Sequence, residues 1–331
     1  MKVAVFSTQS YDREYLGKYN HEGHHRFTWF EAPLTMETVN LSKGYTAICA
    51  FVNDTINREV IAALKENGVQ IIALRCAGFN QVDIPAAAEA GIKVVRVPAY
   101  SPHAVAEHAL ALIMTLNRKI HKAYNRVRES NFSLEKLLGF DLVGKTVGVV
   151  GTGQIGAVFC EIMLGFGCKV IAYDKFESPR LKEKGVHYLS FEELLSSSDI
   201  ISLHCPLTPE THHLFDKKAF DKMKEGVMLI NTSRGKLINT LDAISALKHK
   251  KLGYLGIDVY EQEDKLFFHD LSESIISDEV ITRLLTFPNV IVTAHQGFFT
   301  REALTQIATT TIQNLSDFEN HQELVNEVRI G

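Results

Sequence analysis

The chain has 331 residues, 46% of them hydrophobic and 22% charged, which rules out a disordered or fibrous protein and leaves room for two compact domains. Thirty-five Lys and Arg against 39 Asp and Glu give a net charge of −4 with no long single-sign block, which argues against sequence-independent nucleic-acid binding. Five cysteines without a C-x-x-C pair, and no apolar run near the ~20 residues of a membrane span, predict a soluble cytoplasmic protein with reduced thiols and no membrane partner.

Short β-branched runs predict strands over 3–7, 27–30, 47–51, 71–74 and 93–97. Between them, 57–67 and 83–90 read as helices stopped by Gly68 and Gly91, residues suited to a left-handed cap. The turn Val97-Pro98-Ala99-Tyr100-Ser101-Pro102 breaks this rhythm, and one long amphipathic helix is expected from Ala104 to Glu129. A second series follows, with strands at 146–150, 169–173, 200–204, 227–231, 255–259 and 290–293, the six of a complete dinucleotide fold. A last helix, 301–320, is expected to return to the first domain. The predicted class is α/β, with two doubly wound parallel-sheet domains. A Rossmann domain over 100–296 is inserted into a flavodoxin-like substrate domain made of 1–99 plus 297–331.

Val147-Gly148-Val149-Val150 leads into Gly151-Thr152-Gly153-Gln154-Ile155-Gly156 and then a helical run. That strand, turn and helix context gives the glycine pattern its meaning. Gly151 permits the tight turn, Gly153 lets backbone amides approach a pyrophosphate, and Gly156 lets helix and strand pack closely. Asp174, eighteen positions beyond Gly156 at the next strand's end, would accept the ribose hydroxyls. This favours NAD over NADP, because a 2′-phosphate would meet the carboxylate. The plainer reading of Asp174 is a loop cap, and Lys175 beside it weakens the preference for NAD without reversing it.

In an open α/β sheet, working residues belong at the carboxyl ends of strands. There stand Arg234, Glu263 and His295. Hydride transfer to a 2-oxo acid needs a carboxylate anchor, a proton donor and a group that keeps the donor protonated. The planar fork of Arg234 suits the first role. His295, with an ordinary pKa of about 6.5, suits the second. Glu263 suits the third if it bonds the other ring nitrogen. Each residue alone also has an ordinary structural reading, as a salt bridge, a solvated loop charge or a hinge histidine.

The loop Gly151–Gly156, together with His204-Cys205-Pro206-Leu207-Thr208-Pro209-Glu210-Thr211, Asn231-Thr232-Ser233-Arg234-Gly235, Asp258-Val259-Tyr260-Glu261-Gln262-Glu263 and His295, resembles the D-isomer-specific 2-hydroxyacid dehydrogenases along nearly the whole chain. Arg75-Cys76-Ala77-Gly78-Phe79-Asn80, Val97–Tyr100, Asn131–Leu134 and Leu266-Phe267-Phe268 look most like the fermentative D-lactate dehydrogenase branch of bacteria. The resemblance implies NAD contacts from Gln154, Ile155, Asp174, Cys205, Pro206, Thr211, Thr232, Ser233, Arg234 and Asp258, the last holding the nicotinamide carboxamide. It implies that the Gly78 amide binds substrate carboxylate alongside Arg234 and His295, that Tyr100 and Phe298 bound the pocket, and that the enzyme is a homo-oligomer, dimer or tetramer.

The expected reaction is reversible, NADH-dependent reduction of pyruvate to D-lactate, with the outer domain closing about hinges near Ala99 and His295. The alternatives are a larger 2-oxo acid substrate, or an NADH-sensing interaction protein that consumes no cofactor. No metal is expected: His21-Glu22-Gly23-His24-His25 matches H-E-x-x-H, but Gly23 interrupts it in a polar stretch that is no helix. His103 and His108 could line the cofactor cleft but read first as helix-surface or satisfied buried histidines, His212-His213 as a loop pair, Phe267-Phe268 as packing or a subunit contact rather than a substrate wall, and Cys205 as no nucleophile.

Overall fold

A computed structural model describes residues 1–20, 23–263 and 266–329. His21 and Glu22 of the H-E-x-x-H match lie outside the described residues. The chain divides into two compact units, Met1–Ser101 with Phe299–Gly331, and Pro102–Phe298.

The first unit is a five-stranded, all-parallel sheet of β1 (Lys2–Val5), β2 (Arg26–Trp29), β3 (Ala47–Ala50), β4 (Ile71–Leu74) and β5 (Lys93–Val95), in the order β2-β1-β3-β4-β5. This is the doubly wound flavodoxin-like order, and β3 and β4 are buried throughout, as continuous apolar runs in a two-sided parallel sheet should be. The first strand ends sooner than its apolar run predicts because Ser7 turns left-handed, φ 49°, and ties its hydroxyl to Asp54 at 2.8 Å. Asn57 and Asp83 cap the following helices by accepting from the amides of Val60 and Ala86, and Gly68 and Gly91 stop them at φ 89° and 67°.

The helix Arg301–Glu319 packs on this sheet, placing Ala308 and Leu315 in one core with Val3, Val5, Leu16 and Ala73. The chain then rejoins the sheet edge, where the amide of Val328 donates to Val94 and that of Arg96 to Asn326. The outer sheet is therefore completed by the last segment of the chain.

The second unit is a seven-stranded, all-parallel Rossmann sheet: β6 (Thr146–Val150), β7 (Lys169–Tyr173), β8 (His187–Tyr188), β9 (Ile200–Leu203), β10 (Val227–Asn231), β11 (Leu252–Ile257) and β12 (Val290–Val292), ordered β12-β11-β10-β9-β6-β7-β8. Six strands are expected from the sequence. The seventh, β8, is a two-residue edge strand without an apolar run to announce it. Strand order reverses between β6 and β9, the switch point at which open sheets bind ligands.

The long helix predicted over 104–129 is two helices, Pro102–Arg118 and Ile120–Arg128, broken at Lys119, which is left-handed at φ 51°. Apolar spacing runs through this corner without interruption, and lysine is not a residue that signals such a conformation. The first helix buries Ala106, Ala109, Leu112, Ile113 and Leu116 in the unit's core, whereas the second buries no residue. All five cysteines are free and buried, and among the described residues no helix is long and apolar enough to cross a membrane.

Candidate active site

The phosphate loop follows β6 at the switch point. Gly151 takes φ +92°, and a Cβ there would stand 2.5 Å from the Cys205 amide nitrogen. A Cβ on Gly156 would fall 1.9 Å from the Gly151 carbonyl oxygen, so both positions exclude any side chain. Gly153 differs: it is the N-cap of the helix Gln154–Gly165 and has open space where a side chain would be. Gln154 and Ile155 open that helix, whose unpaired amides and positive end suit a pyrophosphate.

Asp174 ends β7 beside this loop. Its Oδ2 accepts from the Thr152 amide at 2.5 Å and hydroxyl at 3.1 Å, and its Oδ1 accepts from the Phe176 amide at 3.0 Å. The carboxylate is thus held against the turn.

The exits of β9 and β10 are tied together. Ser233 Oγ donates to the Cys205 carbonyl at 2.7 Å, Thr211 Oγ1 donates to the Pro206 carbonyl at 2.7 Å, and Asn231 bridges the Ser233 amide and the Arg234 carbonyl. The Thr232 hydroxyl is buried with no hydrogen-bond partner. An orphaned buried hydroxyl at a strand exit calls for an outside partner, which fits the cofactor contact expected there. Burial pushes the Cys205 thiol up to about 11, the wrong direction for a nucleophile. Burial also lowers His204 to about 3, leaving a neutral ring whose Nε2 lies 2.8 Å from Ser202 Oγ.

His295 and Glu263 meet. Nδ1 of the imidazole lies 2.9 Å from Glu263 Oε1, and Glu263 Oε2 accepts from the Tyr260 amide at 2.8 Å. Glu261, the other acid after β11, is committed elsewhere, with its oxygens on His213 Nε2 at 2.6 Å and the Thr240 amide at 2.8 Å. Arg234 shares the exit of β10, where its Nη1 donates to the Ser233 carbonyl at 2.7 Å; no bond joins its guanidinium to Glu263 or His295.

His295 itself is left-handed, φ 52°, a conformation that persists in a non-glycine residue only where its surroundings impose it. Asp258 imposes it. The Asp258 carbonyl accepts from the His295 amide at 2.7 Å, while its carboxylate accepts from Thr293 Oγ1 at 2.5 Å, the Gln296 amide at 2.9 Å and the Gly297 amide at 2.8 Å. His108 Nε2 adds contacts to Asp258 Oδ1 at 3.2 Å and Thr293 Oγ1 at 3.1 Å. Burial alone would raise the Asp258 carboxyl, but His108, Thr293 and the Gln296 amide together hold it below the usual carboxylate range.

Two neighbours of this constellation read first as structural in the sequence. His108 reaches Asp258 from the helix Pro102–Arg118, a meeting that no local spacing signals. Phe268 is more than packing: its ring stands 5.9 Å from that of His295, with Phe298 on another side at 6.5 Å, whereas Phe267 is buried in the core. In the outer unit, Gly78 lies in the loop after β4, where Arg96 donates to the Ala77 carbonyl at 2.8 Å and Cys76 Sγ to the Gly78 carbonyl at 3.2 Å. Tyr100 lies in the segment after β5.

Fold, glycine loop and switch point define a dinucleotide-binding α/β enzyme. The family description "D-isomer specific 2-hydroxyacid dehydrogenase, NAD binding domain" matches residues 110–297. The chain is 53% identical over 328 residues to a D-lactate dehydrogenase of Escherichia coli strain K12, covering 99% of this chain and all of that one. Among solved structures, the pyruvate reductase of Chlamydomonas reinhardtii superposes with a TM-score of 0.92 at 46% identity over 98% of both chains. The D-lactate dehydrogenase of Aquifex aeolicus, complexed with NAD and lactic acid, superposes with a TM-score of 0.87 at 34% identity, again over 98% of both. The chain belongs to the D-isomer-specific 2-hydroxyacid dehydrogenases, and it is an NAD-dependent enzyme.

Proposed function

We propose that the chain reduces pyruvate to D-lactate, reversibly, with NADH. The observation that carries the reading is the imidazole of His295 paired through Nδ1 with Glu263 on a backbone turn fixed by Asp258. The names of the relatives, D-lactate dehydrogenase and pyruvate reductase, support the substrate.

When bound, the cofactor supplies the hydride. Gly151, Gly153, Gln154, Ile155 and Gly156 would hold its pyrophosphate; Asp174 its ribose; Cys205, Pro206, Thr211, Thr232, Ser233 and Arg234 would line the remainder. Arg234 anchors the substrate carboxylate as a planar fork and polarises the neighbouring ketone. His295 gives its proton to the ketone oxygen as the alkoxide forms and takes it back in the reverse direction. With Nδ1 held by Glu263, Nε2 is the nitrogen left for substrate. Asp258 acts as a positioning residue, and a carboxamide contact made by it would share oxygens already engaged by the turn.

Gly78, Tyr100 and Phe298 complete the proposed substrate contacts, the outer unit being the substrate domain. The same reading extends to a cytoplasmic homo-oligomer, for which the exposed apolar side chains Ile120, Tyr124 and Val127 give support. The test is NADH absorbance against a panel of 2-oxo acids, with chiral analysis of the product and His295→Ala as control. Preferred oxidation of NADH by pyruvate with D-lactate as product is expected, together with loss of turnover and retained NADH binding in the variant. A preference for branched 2-oxo acids, or turnover in the variant, would overturn the reading.

A further inference from the structure

The residues just before β2 include two histidines that the reaction does not use. The side chain of His25 is fully buried, and its backbone is clamped by Asn20, whose side chain bonds both the His25 amide and its carbonyl at 3.0 and 2.7 Å. Its Nε2 lies 3.0 Å from Ser316 Oγ on the helix Arg301–Glu319. That contact orients the ring and leaves Nδ1 directed at the end of the same helix. There Glu319 Oε2 lies 3.5 Å from His25 Nδ1 and 3.2 Å from Nε2 of the half-exposed His24. One atom from each of the three residues falls within a set mutually closer than 4.8 Å.

We propose that His24, His25 and Glu319 form a binding site for a divalent transition-metal ion of the zinc, nickel or copper type. The ligand separations carry the proposal. With metal–ligand distances of about 2.0–2.2 Å, ligand atoms in a tetrahedral shell stand about 3.3–3.6 Å apart, and the two imidazole–carboxylate distances, 3.2 and 3.5 Å, are close to that span. Two imidazoles and a carboxylate select these metals over magnesium or calcium, which take oxygen ligands. The Ser316 contact is the outer hydrogen bond that fixes ring and tautomer in ligating histidines.

The metal occupies the Oε2 side of Glu319. Oε1 faces the amino nitrogen of Met1 at 2.7 Å, and that nitrogen, 3.4 Å from His25 Nδ1, gives way on metal entry. Three protein ligands leave a position for water, as an added site on a surface should. This set uses neither residue of the H-E-x-x-H match that lies outside the described residues. Its effect is structural: it ties the chain before β2 to the end of the final helix, two distant stretches that build the same outer unit.

The experiment uses the full-length protein without a polyhistidine tag, stripped with chelator and titrated with Zn²⁺ by calorimetry and with Co²⁺ by visible absorption. Expected are one equivalent bound, Co²⁺ bands of a four-coordinate nitrogen and oxygen shell, and a melting temperature that rises with Zn²⁺. His24→Ala and Glu319→Gln, both at positions open to solvent, should each weaken binding by at least about tenfold and remove the thermal shift, with turnover unchanged. Failure to bind one equivalent, or undiminished binding in both variants, would overturn the site.

Discussion

Replacing Asp258 by Asn tests whether the His295 turn is held by that one side chain. The two are nearly isosteric, so packing is preserved while charge and acceptor capacity change. Oδ1 accepts from Thr293 and the Gln296 amide, and Oδ2 from the Gly297 amide. In Asn one of these oxygens becomes an NH₂ group. Whichever way the amide is turned, a donor then faces the N–H of Gln296 or of Gly297. The orientation that turns the NH₂ toward Gly297 loses only that bond to a charged acceptor, worth ~1.5–3 kcal/mol, so stability should fall by about that much.

The left-handed backbone of His295 stores a further ~1–2 kcal/mol that the weakened turn no longer opposes. Relaxation moves the imidazole, and a displacement of about 1 Å at a reacting group costs on the order of 10²-fold in rate. Urea denaturation should therefore show a lower midpoint, and steady-state kinetics with NADH and pyruvate should show kcat down by roughly two decades. NADH affinity, by fluorescence titration, should change far less. A variant with the wild-type midpoint and kcat would refute the argument, and one that loses mainly NADH binding would show that Asp258 serves the cofactor instead.

Glu263→Gln replaces the carboxylate that holds His295 Nδ1 at 2.9 Å, so kcat for pyruvate reduction should fall roughly ten- to hundred-fold, the equivalent of one charge-assisted hydrogen bond of ~1.5–3 kcal/mol; a kcat like the parent's would contradict the pairing. Arg234→Lys should raise the KM for pyruvate roughly ten- to hundred-fold, the equivalent of one charge-assisted hydrogen bond of ~1.5–3 kcal/mol; saturation by pyruvate as in the parent would contradict the anchor. Gly156→Ala puts a methyl group 1.9 Å from the Gly151 carbonyl oxygen, so the phosphate loop must open and NADH binding, measured by fluorescence, should be lost.

The phosphate loop was legible because its chemistry is an absence: glycine stands where any side chain would collide with backbone. Asp174, Arg234, Glu263 and His295 could be singled out because each follows an apolar strand, and an ionisable group is conspicuous against the run before it. The sequence could not separate Glu261 from Glu263 by spacing alone; the partners His213 and Thr240 on one, and His295 on the other, make the difference. For His108 and Phe268 the sequence favours a structural role over a place in the cleft, because the contacts that decide it cross between elements far apart in the chain. The break at Lys119 and the edge strand β8 were missed for a local reason. A left-handed lysine carries no compositional mark, and two residues are too few to show a period.

The outer sheet borrows its closing helix and edge contacts from the final stretch of the polypeptide, with Ala308 and Leu315 filling the space over Val3 and Val5. During synthesis the first hundred residues emerge with that apolar face uncovered and stay so until residues 301–319 have been made, by which time the inserted nucleotide domain already has all its own parts. Newborn chains thus pass through a stage with one finished half and one sticky half. A chain cut before Arg301 would keep the whole nucleotide-binding unit and lose the helix that covers Val3 and Val5, leaving an aggregation-prone fragment.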